Sequence, residues 1–147
     1  IVLLDMTTRE VYNLVSTGRI VISEYSEEFP YKVKVIAGSP AFVQMSITSI
    51  LEALPEAFAL SPNYPNPFNP TTHIEYALPS PEQVSIQIYN LLGQRVASLV
   101  NEWQDAGYHQ TAWHGKDQRG RLVGSGVYFY RIRAGKFTES RKMILLR

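Results

Sequence analysis

The side chains with most chemical potential are three histidines, a scatter of carboxylates and a serine held between glycines. A metal site needs donors converging at a recognisable spacing, such as H-x-x-x-H or a His–carboxylate set. His73, His109 and His114 show none. His109 and His114 are five apart across an expected strand end, so a shared metal would need Asp105 or Asp117 to swing in; exposed strand histidines are the better reading. Ser125 in Gly124-Ser125-Gly126 lacks the G-x-S-x-G spacing of a nucleophile elbow, and a strand follows where an elbow has a helix. It reads as a turn. Asp117, in the polar loop from Gly115 to Gly120, offers one carboxylate, too few for more than weak calcium binding. An Asp bonding its own backbone fits that loop better. A carbohydrate platform would need a flat row of exposed aromatics, for which Trp103 and Tyr108 are the candidates. The expectation is a protein without catalytic residues, metal or cofactor.

Composition narrows the classes further. A length of 147 residues allows one ordinary domain or two small ones, and 45 % hydrophobic residues can build a core. A net charge of +1 supplies no overall field for nucleic acid or an anionic membrane. With no cysteine, disulfides and thiol chemistry are removed, but the compartment is not chosen. The longest apolar runs fall short of the roughly 18 residues of a membrane helix, so no membrane insertion is expected. Ile1-Val2-Leu3-Leu4-Asp5 reads as the middle of a strand, with no initiator Met, and points to a piece of a longer protein.

These residues are organised around Asn63-Tyr64-Pro65-Asn66-Pro67-Phe68-Asn69-Pro70. Three prolines in six positions fix φ, remove donors and push preceding residues into extended backbone, which excludes a helix or a central strand. A rigid lead-in is expected, with Tyr64 and Phe68 as plugs on the domain that follows. Upstream, short alternating runs (Val2–Met6, Val11–Val15, Arg19–Tyr25, and Tyr31, Val33, Val35) predict antiparallel strands. Residues 1–37 are therefore expected to be the terminal strands of a β-sandwich, with a turn around Glu27–Pro30. Residues 38–60 are expected as a linker, in which Ala41–Ile50 forms a strand or Ser49–Leu54 a helical turn. Downstream the alternation sharpens. Ile74, Tyr76 and Leu78, then Val84, Ile86 and Ile88, then Gln94–Val100, Tyr108–Trp113, Val127–Arg133 and Phe137–Leu146 are the clear runs among seven or so expected short strands. Strands and turns at that spacing predict an all-β, immunoglobulin-like sandwich over 61–147.

Leu60-Ser61-Pro62-Asn63-Tyr64-Pro65-Asn66-Pro67-Phe68-Asn69-Pro70-Thr71-Thr72 resembles the opening of the C-terminal sorting domain of type IX secretion substrates. The resemblance continues through Ile88-Tyr89-Asn90-Leu91-Leu92-Gly93-Gln94, Ala106-Gly107-Tyr108-His109, Trp113-His114-Gly115-Lys116-Asp117 and Ser125-Gly126-Val127-Tyr128-Phe129-Tyr130. It ends with Arg141-Lys142-Met143-Ile144-Leu145-Leu146-Arg147. His114 departs from it, an acidic residue being expected after the Trp. The resemblance covers about residues 58–147 and implies the immunoglobulin-like fold of the flagellar hook-capping protein. It also implies an exported, secreted or cell-surface protein that travels via the periplasm and is delivered by the type IX outer-membrane machinery. In many such proteins a sortase-like peptidase removes the domain. Residues before Gly38 look like the sandwich that often precedes it.

The function expected is therefore recognition without catalysis. The surfaces expected to be read are Pro65, Asn66, Pro67 and Phe68 of the lead-in, Gly126 and Tyr128, and the terminal strand Lys142, Met143, Ile144, Leu145, Leu146 and Arg147. A C-terminal edge strand with basic ends is a physical handle for strand addition. The alternative is a structural cell-surface or filament module, in which neighbouring copies complete the open first sheet by donating a strand.

Overall fold

The computed structural model describes residues 1–17 and 33–147, which divide into two compact units, 1–55 and 56–147. In the first unit, β1 (Val2–Asp5), β2 (Val11–Asn13) and β3 (Val33–Ile36) form an antiparallel sheet in the order β2-β1-β3. A single helical turn, α1 (Leu14–Thr17), replaces the end of the strand expected to run on to Val15. The expected strand Arg19–Tyr25, the turn at Glu27–Pro30 and Tyr31 lie outside the described residues.

The strand expected at Ala41–Ile50 is instead a helix, α2 (Pro40–Glu52). Its start is written in Ser39-Pro40. The Ser39 hydroxyl accepts from the Phe42 amide at 3.3 Å, and Pro40 occupies the first turn, where no donor is required. Val43 and Ile47, four apart, are buried with Ile36, and Ile50 and Leu51 pack alongside at the next turn. The segment expected as a linker therefore contributes to the core of the first unit.

The second unit is a seven-stranded sandwich. β4 (Ala59–Leu60), β5 (Thr72–Leu78) and β8 (Gly107–Trp113) form one sheet in the order β4-β5-β8. β6 (Glu82–Asn90), β7 (Arg95–Gln104), β9 (Gly126–Ala134) and β10 (Phe137–Leu145) form the other, in the order β10-β9-β6-β7. All pairings are antiparallel. In β5, β6, β9 and β10 the period-two pattern gives one buried face, as expected: Ile74, Tyr76 and Leu78 oppose Val84, Ile86 and Ile88, with Tyr130, Ile132, Met143 and Leu145 on the same inner layer. In β7 a bulge places the buried Ala97 and Val100 three apart.

Buried phenols are tied off by hydrogen bonds. Tyr130 donates to the Ser61 carbonyl at 2.7 Å, Tyr76 to Gln104 Oε1 at 2.7 Å, and Tyr128 to the Gly124 carbonyl at 2.8 Å. The last bond runs four residues back along the chain, in the manner of a tyrosine corner. Burial pushes all three phenols up, so they remain donors well above neutral pH.

Truncating the middle of this core leaves a cavity. Ile132→Ala is expected to cost about 2–5 kcal/mol, whereas Ser98→Ala on the outer face should stay within about 0.5 kcal/mol. Denaturant unfolding of the two variants checks this.

Candidate recognition site

The proline-rich lead-in is a closed loop. The Asn63 side-chain amide donates to Thr72 Oγ1 at 2.9 Å and to the Pro65 carbonyl at 3.2 Å, and Thr72 Oγ1 donates to the same carbonyl at 2.8 Å. Tyr64 and His73 exchange both backbone bonds, at 3.0 and 2.9 Å. Asn63 and Thr72 are buried, so the base of the loop is a polar node within the core, in which the Asn63 amide nitrogen and the Thr72 hydroxyl are paired and Asn63 Oδ1 is left without a partner. The peptide bonds before Pro65, Pro67 and Pro70 are cis.

From that base the loop sends Phe68 into the core, where it is 2 % exposed and its ring centroid lies 5.6 Å from that of Trp113. Trp113 in turn meets Tyr128 edge-on at 5.0 Å and donates Nε1–H to the Lys116 carbonyl at 2.9 Å. Tyr64 departs from expectation. Paired with His73, it shares that residue's outward face and is 80 % exposed rather than a plug.

The lead-in then clasps the end of the chain. Phe68 N–H donates to the Ile144 carbonyl at 3.0 Å, Leu146 N–H to the Phe68 carbonyl at 3.0 Å, and Ile144 N–H to Asn66 Oδ1 at 2.9 Å. β10 is an edge strand, as expected, but its final residues have this edge covered in cis. Alternate residues of an antiparallel edge strand point their backbone groups outward. By that register the uncovered outer edge is Thr138, Ser140 and Lys142.

Beyond the clasp, Arg147 N–H donates to Ser125 Oγ and its guanidinium to the Gly115 carbonyl, both at 3.0 Å. Gly115 has φ +62°, and a Cβ there would meet the Arg147 guanidinium at 3.1 Å, Leu145 at 3.3 Å and the Pro70 carbonyl at 3.3 Å. Lead-in, loop and terminus therefore meet at a position open only to glycine. Sequence reasoning placed Gly115 in a turn but missed this role, and a contact between residues 70, 115 and 147 leaves no local signal.

Of the residues expected to be read by a partner, Pro65, Asn66, Pro67, Lys142, Leu146 and Arg147 are exposed, and Gly126 and Ile144 are half-buried. Phe68, Tyr128, Met143 and Leu145 are buried and offer no side chain to a partner without opening the core. Their place is beneath the surface, where they hold the exposed ones in position.

The histidines go to separate partners. His109 Nε2 lies 2.8 Å from the Asp105 carbonyl, with its ring stacked on Tyr76, and His114 Nδ1 lies 3.0 Å from Thr71 Oγ1. Both Asp117 oxygens are taken by donors within its own loop. Oδ1 accepts from the Arg119 and Arg121 amides and Oδ2 from the Arg121 side chain, each at 2.9 Å.

The family of FlgD Ig-like domains matches residues 68–136. No curated protein matches the chain. Among solved structures, dimeric latent PorU from Porphyromonas gingivalis is similar at 19 % identity and a TM-score of 0.51, over 63 % of this chain and 10 % of its own. PorZ of the same organism, described as an essential bacterial surface component of the type-IX secretion system, is similar at 18 % identity and a TM-score of 0.42. That match covers 63 % of this chain and 12 % of PorZ. The chain spans about a tenth of the length of each. The likeness to PorU shows the fold, an immunoglobulin-like sandwich, and the same fold is what the family match describes.

Two outcomes follow. Asn66→Ala removes an exposed bond of the clasp and should cost about 1 kcal/mol, whereas Phe68→Ala should cost about 3–5 kcal/mol, both read by thermal unfolding. The Asp117 carboxyl is held below the usual carboxylate range, first by the Arg121 amide. Its ordering of the loop should be present above the unfolded pKa and lost as pH falls through the lowered folded value. NMR titration of the Arg119 and Arg121 amides should show that transition, and Asp117→Asn should abolish it.

Proposed function

We propose that the chain is a C-terminal sorting module of an exported protein, delivered to the medium or cell surface by the type IX outer-membrane machinery. It acts by recognition and carries out no reaction. The observation that carries this reading is the clasp. The motifs that resemble the sorting domain lie far apart in sequence, yet the lead-in and the last strand are bonded into one surface by Asn66, Phe68, Ile144 and Leu146.

A partner that must tell a finished cargo from an unfinished one gains from such a surface. It exists only once Ile144 and Leu146 have been made and the sandwich has closed around Phe68. The uncovered edge at Thr138, Ser140 and Lys142 offers backbone donors and acceptors for strand addition beside it, and the exposed Leu146 and Arg147 add side-chain contacts.

The test is delivery of a reporter carrying the full chain at its C-terminus in a type IX-competent host. Removing Met143 to Arg147 should stop export, but it also removes the buried Met143 and Leu145. The double variant Lys142→Glu with Leu146→Ser changes exposed side chains alone. It should fold with an unchanged melting temperature and still fail to deliver the reporter. Normal surface delivery of that variant would sink the proposal.

A further inference from the structure

Leu91 and Leu92 form the tip of the β6–β7 hairpin and are 68 % and 82 % exposed. The turn itself does not require them. It is held by Asn90 Oδ1, which accepts from the Leu92 and Gln94 amides, and by Gly93 at φ +74°. Leu122 and Leu146 are also exposed, at 63 % and 52 %.

These leucines sit on segments at the same end of the sandwich: the β6–β7 turn, the 115–123 loop and the residues after β10. The 115–123 loop is bound to the start of β7 by the Gln118 amide, which donates to the Val96 carbonyl at 3.0 Å, and to the chain terminus by Arg147 on Gly115. The large aliphatic side chains exposed in residues 56–147 all lie at this one end of the sandwich.

Charge follows the same polarity. Arg95, Lys116, Arg119, Arg121, Lys142 and Arg147 are exposed at or beside this end. The acidic residue among them, Asp117, is tied up by its own loop. Glu82 at the start of β6, Glu102 near the end of β7 and Asp105 in the turn before β8 lie at the opposite end, where the exposed Arg133 and Lys136 offset only part of their charge. The net charge of +1 therefore conceals a polarised unit. Because salt screens beyond about 8 Å, the local density matters to a partner, not the sum over the chain.

We infer that this end of the sandwich docks on the surface of a lipid bilayer carrying anionic headgroups. The Leu91–Leu92 tip enters the interfacial layer, and the surrounding arginines and lysines meet the lipid phosphates. Charge complementarity alone would also fit a nucleic acid or an acidic glycan. Such hydrated polyanions, however, leave exposed leucines wet, whereas a bilayer interface accepts the leucines and the cations together. The attachment is peripheral, and among the described residues no helix is long and apolar enough to cross a membrane. The inference shares Lys142, Leu146 and Arg147 with the sorting reading but turns on Leu91, Leu92, Arg95 and Arg119, which that reading does not use.

The test is co-sedimentation of the full chain with vesicles of phosphatidylcholine alone or mixed with phosphatidylglycerol. Binding is expected with the anionic vesicles only and should fall as salt is raised. Arg95→Ser with Arg119→Ser should weaken it by about fivefold for each charge removed. Leu91→Ser with Leu92→Ser should also weaken it without moving the melting temperature. The inference is overturned by unchanged binding of the leucine variant, by equal binding to neutral vesicles, or by binding of heparin or oligo-dT with none to vesicles. The leucine variant also separates this from export: delivery that survives the loss of vesicle binding leaves the sorting reading intact.

Discussion

Burial of Phe68 against Trp113 is the constraint on which the C-terminal end of the sandwich depends. A segment with prolines at 65, 67 and 70 has few backbone donors, so it cannot dock as an ordinary strand. It docks through one aromatic anchor and the remaining polar groups around it. With Phe68 inserted, its own N–H and C=O fall beside the end of β10 and complete that strand's edge. Trp113 is then enclosed by Phe68 and Tyr128, its indole N–H having found Lys116. Without the anchor, the clasp would lose its register, and Leu145 and Met143 would lose the lid at their end of the core.

Much of this was legible in the sequence because half-buried antiparallel strands have a period of two. The Val84, Ile86, Ile88 run and the Val127–Arg133 run each place alternate residues in the core as read. The helix at Pro40–Glu52 was not read correctly because Ala41–Ile50 is rich in β-branched and small polar residues, which mimics a strand. The deciding signals were the Ser39 cap and the spacing of Val43, Ile47 and Leu51. Propensity yielded there to packing on Ile36. Tyr64 faces outward for a different reason. Its side-chain direction is set by a backbone pairing with His73 that no local pattern announces.

The candidate site was legible as a set of stretches but not as an arrangement. Sequence reasoning took every residue of the terminal strand as surface. Yet a strand in a sandwich gives half its side chains to the core, so Met143 and Leu145 support what Lys142 and Leu146 present. Part of the edge expected as a handle is likewise taken, because the lead-in that covers the end of β10 lies more than seventy residues earlier, at Asn66 and Phe68.

Charge shows most clearly what a one-dimensional reading averages away. Arg95 is separated along the chain from Arg119 and Arg121 by β7 and β8, which carry the path to the other end of the sandwich and back. A running sum therefore mixes them with Glu102 and Asp105. In an antiparallel sandwich successive turns alternate between two ends, so residues two turns apart become neighbours while adjacent turns are separated by a strand's length. A chain with little net charge can thereby present one cationic end tipped with leucine. Adding a few acidic residues elsewhere in the unit would alter the sum without altering that end. What a partner meets is decided by the order of the turns.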